Sequence, residues 1–116
     1  MELKLKRAYD PPSNDDGYRI LVDRLWPRGL RKDQARLDGW LKEIAPSTAL
    51  RKWFGHDPAR WEEFRRRYFA ELDGCAPVVE EARQWTQRGR VTLVYGARDE
   101  THNHAVALQE YLRRRA

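Results

Sequence analysis

The sequence predicts a small α/β fold, in which a mainly parallel sheet of roughly three to four strands is covered by four to five helices. Two short apolar runs, 20–22 and 91–95, contain β-branched residues and are typical of strands buried on both faces. Apolar residues at helical spacing occupy much of the chain between them. A turn and a helix follow the second run, which favours parallel strands. An α+β arrangement is the alternative.

Four segments carry the strand predictions. Leu3 and Leu5 alternate with lysines, which indicates a short strand. The loop 10–17, with two prolines and several turn-forming residues, separates it from a second strand over 18–23. The segment 40–44 fits either a strand or a helical turn, and the run VTLVY at 91–95 is the strongest strand prediction.

Helix starts are marked by capping residues or by a proline in the first turn. These are Ser47, Asp57 with Pro58, Pro77 and Thr101. Gly74 and Gly89 are expected to end the second and third of these helices, and the fourth is expected to run to about Arg114.

Composition limits the classes of protein that fit. The 116 residues predict a single domain spanning 1–116. A net charge of +5, with 23 basic against 18 acidic residues, favours anionic partners, although a solvated basic surface explains it equally well. The lone Cys75 excludes an internal disulfide and a thiol-zinc site.

Several kinds of site and location are not expected from the sequence. There is no dinucleotide fingerprint, phosphate-binding P-loop or nucleophile elbow, so we expect no cofactor, and no metal-ligand pattern is present. No apolar run approaches the ~20 residues that span a bilayer, so we expect no membrane partner. Residues 1–7 do not resemble a signal peptide, and a cytoplasmic location is expected.

Three stretches together resemble a known family. They are KRAYD at 6–10, DGYRILVDRLWPRG at 16–29, and LVYGA at 93–97 followed by NHA at 103–105, with support from Trp40, from KEIAPS at 42–47 and from Leu50-Arg51. The chain is similar to the YeaO-like branch of the family called domain of unknown function 488. This resemblance implies a bacterial cytosolic protein with a compact α/β fold, and it implies no established reaction. Other branches carry a Cys-His-Arg string where this chain has Asn103-His104-Ala105, so only the histidine matches.

The first candidate cluster follows the second predicted strand. Ligands of parallel α/β sheets bind outside the carboxyl ends of the strands, which is where Asp23 and Arg24 are expected. Arg24 and Arg28 are suited to holding a phosphate or carboxylate, and Trp26 to stacking on a flat group. The alternative is that Asp23 pairs with one arginine and Trp26 belongs to the core.

The second candidate cluster follows the last predicted strand. Tyr95 and Asn103 are candidate ligand-binding residues, and His104 is a candidate acid–base residue together with Asp23. His104 shares a helix face with Leu108 and Leu112, so we expect it to face inward. A buried histidine with a purely structural role is the alternative.

The sequence leaves three functions open. The preferred one is an enzyme or ligand-binding domain with a crevice for an anionic, nucleotide-like small molecule. The second is a non-catalytic basic module that binds nucleic acid or an acidic partner, for which 65–67 and 113–115 supply arginines but no recognition motif exists. The third is a structural or interaction protein. Oligomeric state does not follow from any pattern in the chain.

Overall fold

The computed structural model of the chain describes residues 2–114. Within this range four parallel strands form one sheet with the order β1-β4-β2-β3. The strands are β1 (Leu3–Arg7), β2 (Tyr18–Leu21), β3 (Gly39–Trp40) and β4 (Val91–Tyr95). The predicted α/β class and mainly parallel sheet are therefore confirmed.

β4 lies in the middle of the sheet, between β1 and β2. Val91 is paired with Leu3 on one side and with Tyr18 on the other. All five residues of β4 are buried, which explains why its sequence is continuously apolar or neutral. β2 ends at Leu21, two residues before the predicted end, and the segment 40–44 divides into the end of β3 and a 3₁₀ turn.

Five α-helices are described within residues 2–114. They are α1 (Lys32–Ala35), α2 (Thr48–Phe54), α3 (Trp61–Asp73), α4 (Ala76–Arg88) and α5 (His104–Arg114). Short 3₁₀ turns occupy Asn14–Asp16, Lys42–Ile44 and Pro58–Arg60.

The predicted helix starts are mostly confirmed. Ser47 Oγ accepts a hydrogen bond from Leu50 N at 3.1 Å, as an N-cap should, and Asp57 caps the 3₁₀ turn that leads into α3. Gly74 and Gly89 are the C-cap residues of α3 and α4. The predicted N-cap at Thr101 is wrong, because α5 begins at His104 and the hydroxyl of Thr101 instead bonds to a carboxylate in the preceding loop.

Side chains alternate between the two faces of the sheet and create two apolar cores. Ile20, Val22 and Leu93 belong to the larger core, which they share with α2, α3, α4 and α5. Leu21 and Val94 point to the opposite face and join a smaller core. The segment 23–40 covers that second face with four side chains, those of Trp26, Leu30, Leu37 and Trp40.

An ionic network is buried on the second face, at the amino-terminal end of β2. Asp16 Oδ2 lies 2.7 Å from Arg19 Nη1, and Asp16 Oδ1 lies 2.9 Å from Lys6 Nζ. Arg19 Nε donates to Ala35 O at 3.0 Å, which fastens α1 to the sheet. Burial alone raises the pKa of Asp16, but its bonds to Lys6, Ser13 N and Arg19 outweigh burial and leave that pKa lowered.

None of the helices within residues 2–114 combines the length and apolar character that crossing a bilayer requires.

Candidate functional site

A cleft of about 300 Å³ opens at the carboxyl ends of β2 and β4. It lies between the segment 23–28, which follows β2, and the segment 96–104, which connects β4 to α5. The two candidate clusters therefore meet, because neighbouring parallel strands end at the same edge of the sheet. The sequence-predicted residues that line the cleft are Asp23, Arg24, Trp26, Arg28, Asn103 and His104.

Asp23 and His104 form the closest contact between the two segments. His104 Nε2 lies 2.9 Å from Asp23 Oδ1 and 3.1 Å from the carbonyl oxygen of Val22. The directed hydrogen bond runs to Val22 O, so Asp23 Oδ1 is a close electrostatic neighbour without a well-aligned bond of its own. The other carboxylate oxygen, Asp23 Oδ2, accepts a hydrogen bond from Gly96 N at 2.9 Å.

Gly96 allows this approach because it has no side chain. A Cβ atom at this position would stand 2.9 Å from Asp23 Oδ2 and 3.5 Å from Pro27. A larger residue would therefore push Asp23 away from the amide that holds it. Gly96, the first residue after β4, therefore leaves the space that Asp23, the first polar residue after β2, needs to reach the Gly96 amide.

Arg24 has a partly structural position. Its Nη2 donates to the carbonyl oxygens of Ala45 and Pro46, at 3.1 and 3.5 Å, and so connects the end of β2 to the start of α2. Its Nε is buried and has no hydrogen-bond partner within residues 2–114. Arg24 thus forms a fixed wall of the cleft, with its buried Nε donor left unused.

Arg28 and Arg51 are the exposed cations of the cleft. Neither guanidinium forms an ion pair or a hydrogen bond with any side chain or carbonyl of the described part of the chain. The backbone is nevertheless fixed near Arg28, since the Tyr9 hydroxyl donates to Arg28 O at 2.7 Å. With Arg24, three arginines stand against the single carboxylate of Asp23 among the described lining residues. This excess of positive charge favours an anion.

Trp26 and Tyr95, both candidate ligand-binding residues, are less exposed to the cleft than that role would favour. The Trp26 ring packs edge-on against Trp40, with centroids 5.5 Å apart, and its Nε1 donates to Leu30 O at 2.7 Å. Its ring therefore belongs to the second core as well as to the cleft wall. Tyr95 is buried in the larger core beneath the cleft, and that burial raises the pKa of its hydroxyl group.

Both ends of the Asn103 amide bond to backbone groups. Its Oδ1 accepts from Val106 N at 3.0 Å and so caps α5, while its Nδ2 donates to Asp99 O at 2.8 Å. The side chain is buried. At the place where other branches of the resembled family carry a cysteine, this chain therefore has a residue that holds the helix start in position.

Sequence reasoning did not single out the side chains that α2 and the following turn contribute. Arg51 and Phe54 of α2, His56 of the following turn and Phe64 of α3 also line the cleft. Arg51 was part of a motif of the resemblance, but nothing in its spacing connects it to β2 or β4. Its position depends on how α2 packs in three dimensions.

The arginine-rich helix segments are largely paired with acids. Arg65 pairs with Glu62 and Glu110, Arg66 and Arg67 pair with Glu63, and Arg114 pairs with Glu110. Arg113 donates to the carbonyl oxygen of Leu3, and Arg115 lies outside the described residues. These pairings disfavour a continuous basic surface for nucleic acid. Within residues 2–114, no group of three or more His, Cys, Asp or Glu side chains is arranged to hold a metal ion.

Comparisons with known proteins agree with the motifs. The model of a family described as the inactive DUF488-N3 subclade matches residues 2–116. The uncharacterized protein YeaO of Escherichia coli (strain K12) is 45% identical over 113 residues, which cover 97% of this chain and 98% of that protein. The uncharacterized protein Rv3073c of Mycobacterium tuberculosis (strain ATCC 25618 / H37Rv) is 43% identical over 110 residues, covering 95% and 92%. No solved structure matches the chain.

Proposed function

Because the chain belongs to the DUF488 family, in the inactive DUF488-N3 subclade, we propose that it binds a small anionic molecule in the cleft and does not transform it. The observation that carries the proposal is the pair of exposed guanidinium groups of Arg28 and Arg51, which have no acidic partner within residues 2–114. Guanidinium groups bind phosphate and carboxylate through two parallel hydrogen bonds. An anion bound in the cleft would supply the partner that these groups lack.

The size and lining of the cleft restrict the ligand further. A volume of about 300 Å³ is at the lower end of the range for small-molecule sites, which suits a mononucleotide or a smaller phosphorylated or carboxylated molecule. Phe54 and Phe64, stacked with centroids 4.3 Å apart, provide an apolar wall beside the charged groups. A ligand with a short uncharged body and one anionic group matches this combination.

Binding without reaction is supported by the residue at the start of α5. Asn103 has no nucleophilic atom, and both ends of its amide are bonded to backbone groups. The cleft still contains Asp23 and His104, but a histidine beside a carboxylate is not sufficient to identify a reaction. The family description of an inactive subclade is consistent with a site that retains its binding groups.

The proposal is tested by thermal-shift and calorimetric titration with inorganic phosphate, mononucleotides and small sugar phosphates. At a ligand concentration 100 times Kd, stabilisation of about 2.7 kcal/mol is expected, which is a rise in Tm of roughly 10 °C for a chain of this size. Arg28→Ala and Arg51→Ala should each weaken binding about tenfold or more, because each removes charge-assisted hydrogen bonds.

Lys52→Ala is the matched control, since it removes one positive charge from the position next to Arg51 on α2 without altering the cleft lining. If Lys52→Ala weakens binding as much as Arg51→Ala, the anion is held by general surface charge and not by the cleft. Titration with duplex DNA at low and high salt tests the nucleic-acid alternative. Strong binding that decreases steeply with salt would favour that alternative and contradict the proposal.

A further inference from the structure

We propose that the anion bound in the cleft also carries a hydroxyl group, and that His104 Nδ1 accepts the hydrogen bond of that hydroxyl. This inference rests on the proposed function and specifies the ligand class. The starting observation is that the imidazole ring is fixed through one nitrogen only. His104 Nε2 contacts both Val22 O and Asp23 Oδ1, at 3.1 and 2.9 Å.

These two neighbours determine which nitrogen of the neutral ring carries the proton. Val22 O is a carbonyl oxygen and cannot donate a hydrogen bond. Asp23 is a carboxylate whose other oxygen already accepts from Gly96 N at 2.9 Å. A proton on Nε2 is therefore favoured by both neighbours, and its absence would place a lone pair against two acceptors.

The remaining nitrogen is then an acceptor without a partner. In a neutral imidazole with the proton on Nε2, Nδ1 can only accept. No group within residues 2–114 bonds to His104 Nδ1. The buried side-chain atoms that lack a hydrogen-bond partner within residues 2–114 are Arg19 Nη2, Asp23 Oδ1 and Arg24 Nε, and His104 Nδ1 is not among them. Because His104 lines the cleft and keeps 16% of its side chain exposed, Nδ1 is open to the cleft.

The cleft combines the donors of its arginines with one acceptor, His104 Nδ1. It therefore favours a ligand that carries both an anionic group and a hydrogen-bond donor. The guanidinium groups of Arg28 and Arg51 require an anion, whereas His104 Nδ1 requires a donor. A hydroxylated phosphate or carboxylate supplies both within a molecule small enough for about 300 Å³. Asp23 acts here as a positioning residue, because its carboxylate favours the proton on Nε2 of His104.

The experiment compares two probes that differ in hydroxyl groups alone. Glycerol 3-phosphate and n-propyl phosphate have the same carbon chain and the same anionic group. Calorimetry should give about tenfold tighter binding of glycerol 3-phosphate to the wild-type chain, which is the effect of one well-made hydrogen bond. His104→Gln and His104→Phe should reduce this preference, with His104→Phe abolishing it.

Nitrogen-15 NMR of the wild-type histidines gives a readout that does not depend on any variant folding. The spectrum should show His104 protonated on Nε2, and glycerol 3-phosphate should shift the Nδ1 resonance while n-propyl phosphate leaves it in place. A proton on Nδ1 in the free protein, or equal affinity for the two probes, overturns the hydroxyl inference. If both probes bind equally and Arg28→Ala abolishes both, the proposed anion site stands without it. If neither probe binds, both proposals are wrong.

Discussion

Replacing Asp16 by asparagine tests how much the buried ionic network contributes to stability. Asp16 is 2% exposed and contacts the side chains of Arg19 and Lys6 as well as the amide of Ser13. The side chain of Arg19 is only 4% exposed. Asp16→Asn keeps the size of the side chain and removes the charge, so it leaves the Arg19 guanidinium buried without a counter-ion.

The expected loss follows from that uncompensated charge. Removing one partner of a buried pair costs about 3–5 kcal/mol, because the remaining ion has lost both water and its partner. At roughly 4 °C per kcal/mol, the Tm of Asp16→Asn should fall by about 12–20 °C. Urea denaturation followed by circular dichroism measures the same difference as a change in midpoint.

The dependence on pH provides a second measure of the same network. The pKa of Asp16 is lowered in the folded protein, so its carboxylate stabilises the fold above the unfolded pKa of about 4, and this contribution is lost as the pH falls below that value. The difference between the wild-type protein and Asp16→Asn should therefore shrink as the pH is lowered from 6 to about 3.

Asp33→Asn is the matched control. Asp33 pairs with Arg31 at 3.1 Å, and their side chains are 67% and 69% exposed, so solvent screens this pair and no change in midpoint is expected. If the two variants lose the same stability, or if the Asp16→Asn difference does not change with pH, the network does not stabilise the fold as an ionic unit.

Three further changes test the site and its supports. Gly96→Ala should destabilise the protein by about 1–3 kcal/mol in urea titrations, because the new Cβ would displace Asp23; unchanged stability would contradict the close approach. Asn103→Ala should cost about 1 kcal/mol through loss of the α5 cap, with Asn103→Asp recovering most of it, and equal losses would show that the cap is unimportant. Ser47→Ala should cost about 1 kcal/mol by removing the α2 cap and a hydrogen bond to Glu71, which Ser47→Thr should restore; thermal melts of the two variants measure this.

Elements with strong local signals were predictable from the sequence. β4 is buried on both faces, and its five residues show this directly in their composition. Ser47 and Asp57 cap turns through their own side chains, so their identity is sufficient to mark a start. The position of Asp23 and His104 at one edge of the sheet followed from parallel strands and the general location of ligand sites.

The features that were not predictable depend on tertiary contacts. Thr101 and Asn103 are both good capping residues, and the choice between them is made by Asp99, whose carboxylate binds the Thr101 hydroxyl and whose carbonyl accepts from Asn103. Arg51 reaches the cleft only because α2 packs beside the strand ends. α1 is a single turn, and its place on the sheet is determined by the bond from Arg19 to Ala35 O.

The strand order β1-β4-β2-β3 has a consequence for how the chain folds. β4 is the last of the described strands in sequence, yet β1 and β2 hydrogen-bond to it and not to each other. Until residues 91–95 have been synthesised and have inserted between them, β1 therefore has no strand partner among the described strands, and β2 has only the two-residue strand β3. Such late, long-range pairing makes folding slow and leaves strand edges exposed during translation. A fragment ending before β4 should accordingly be a substrate for chaperones or proteases, whatever helices it contains.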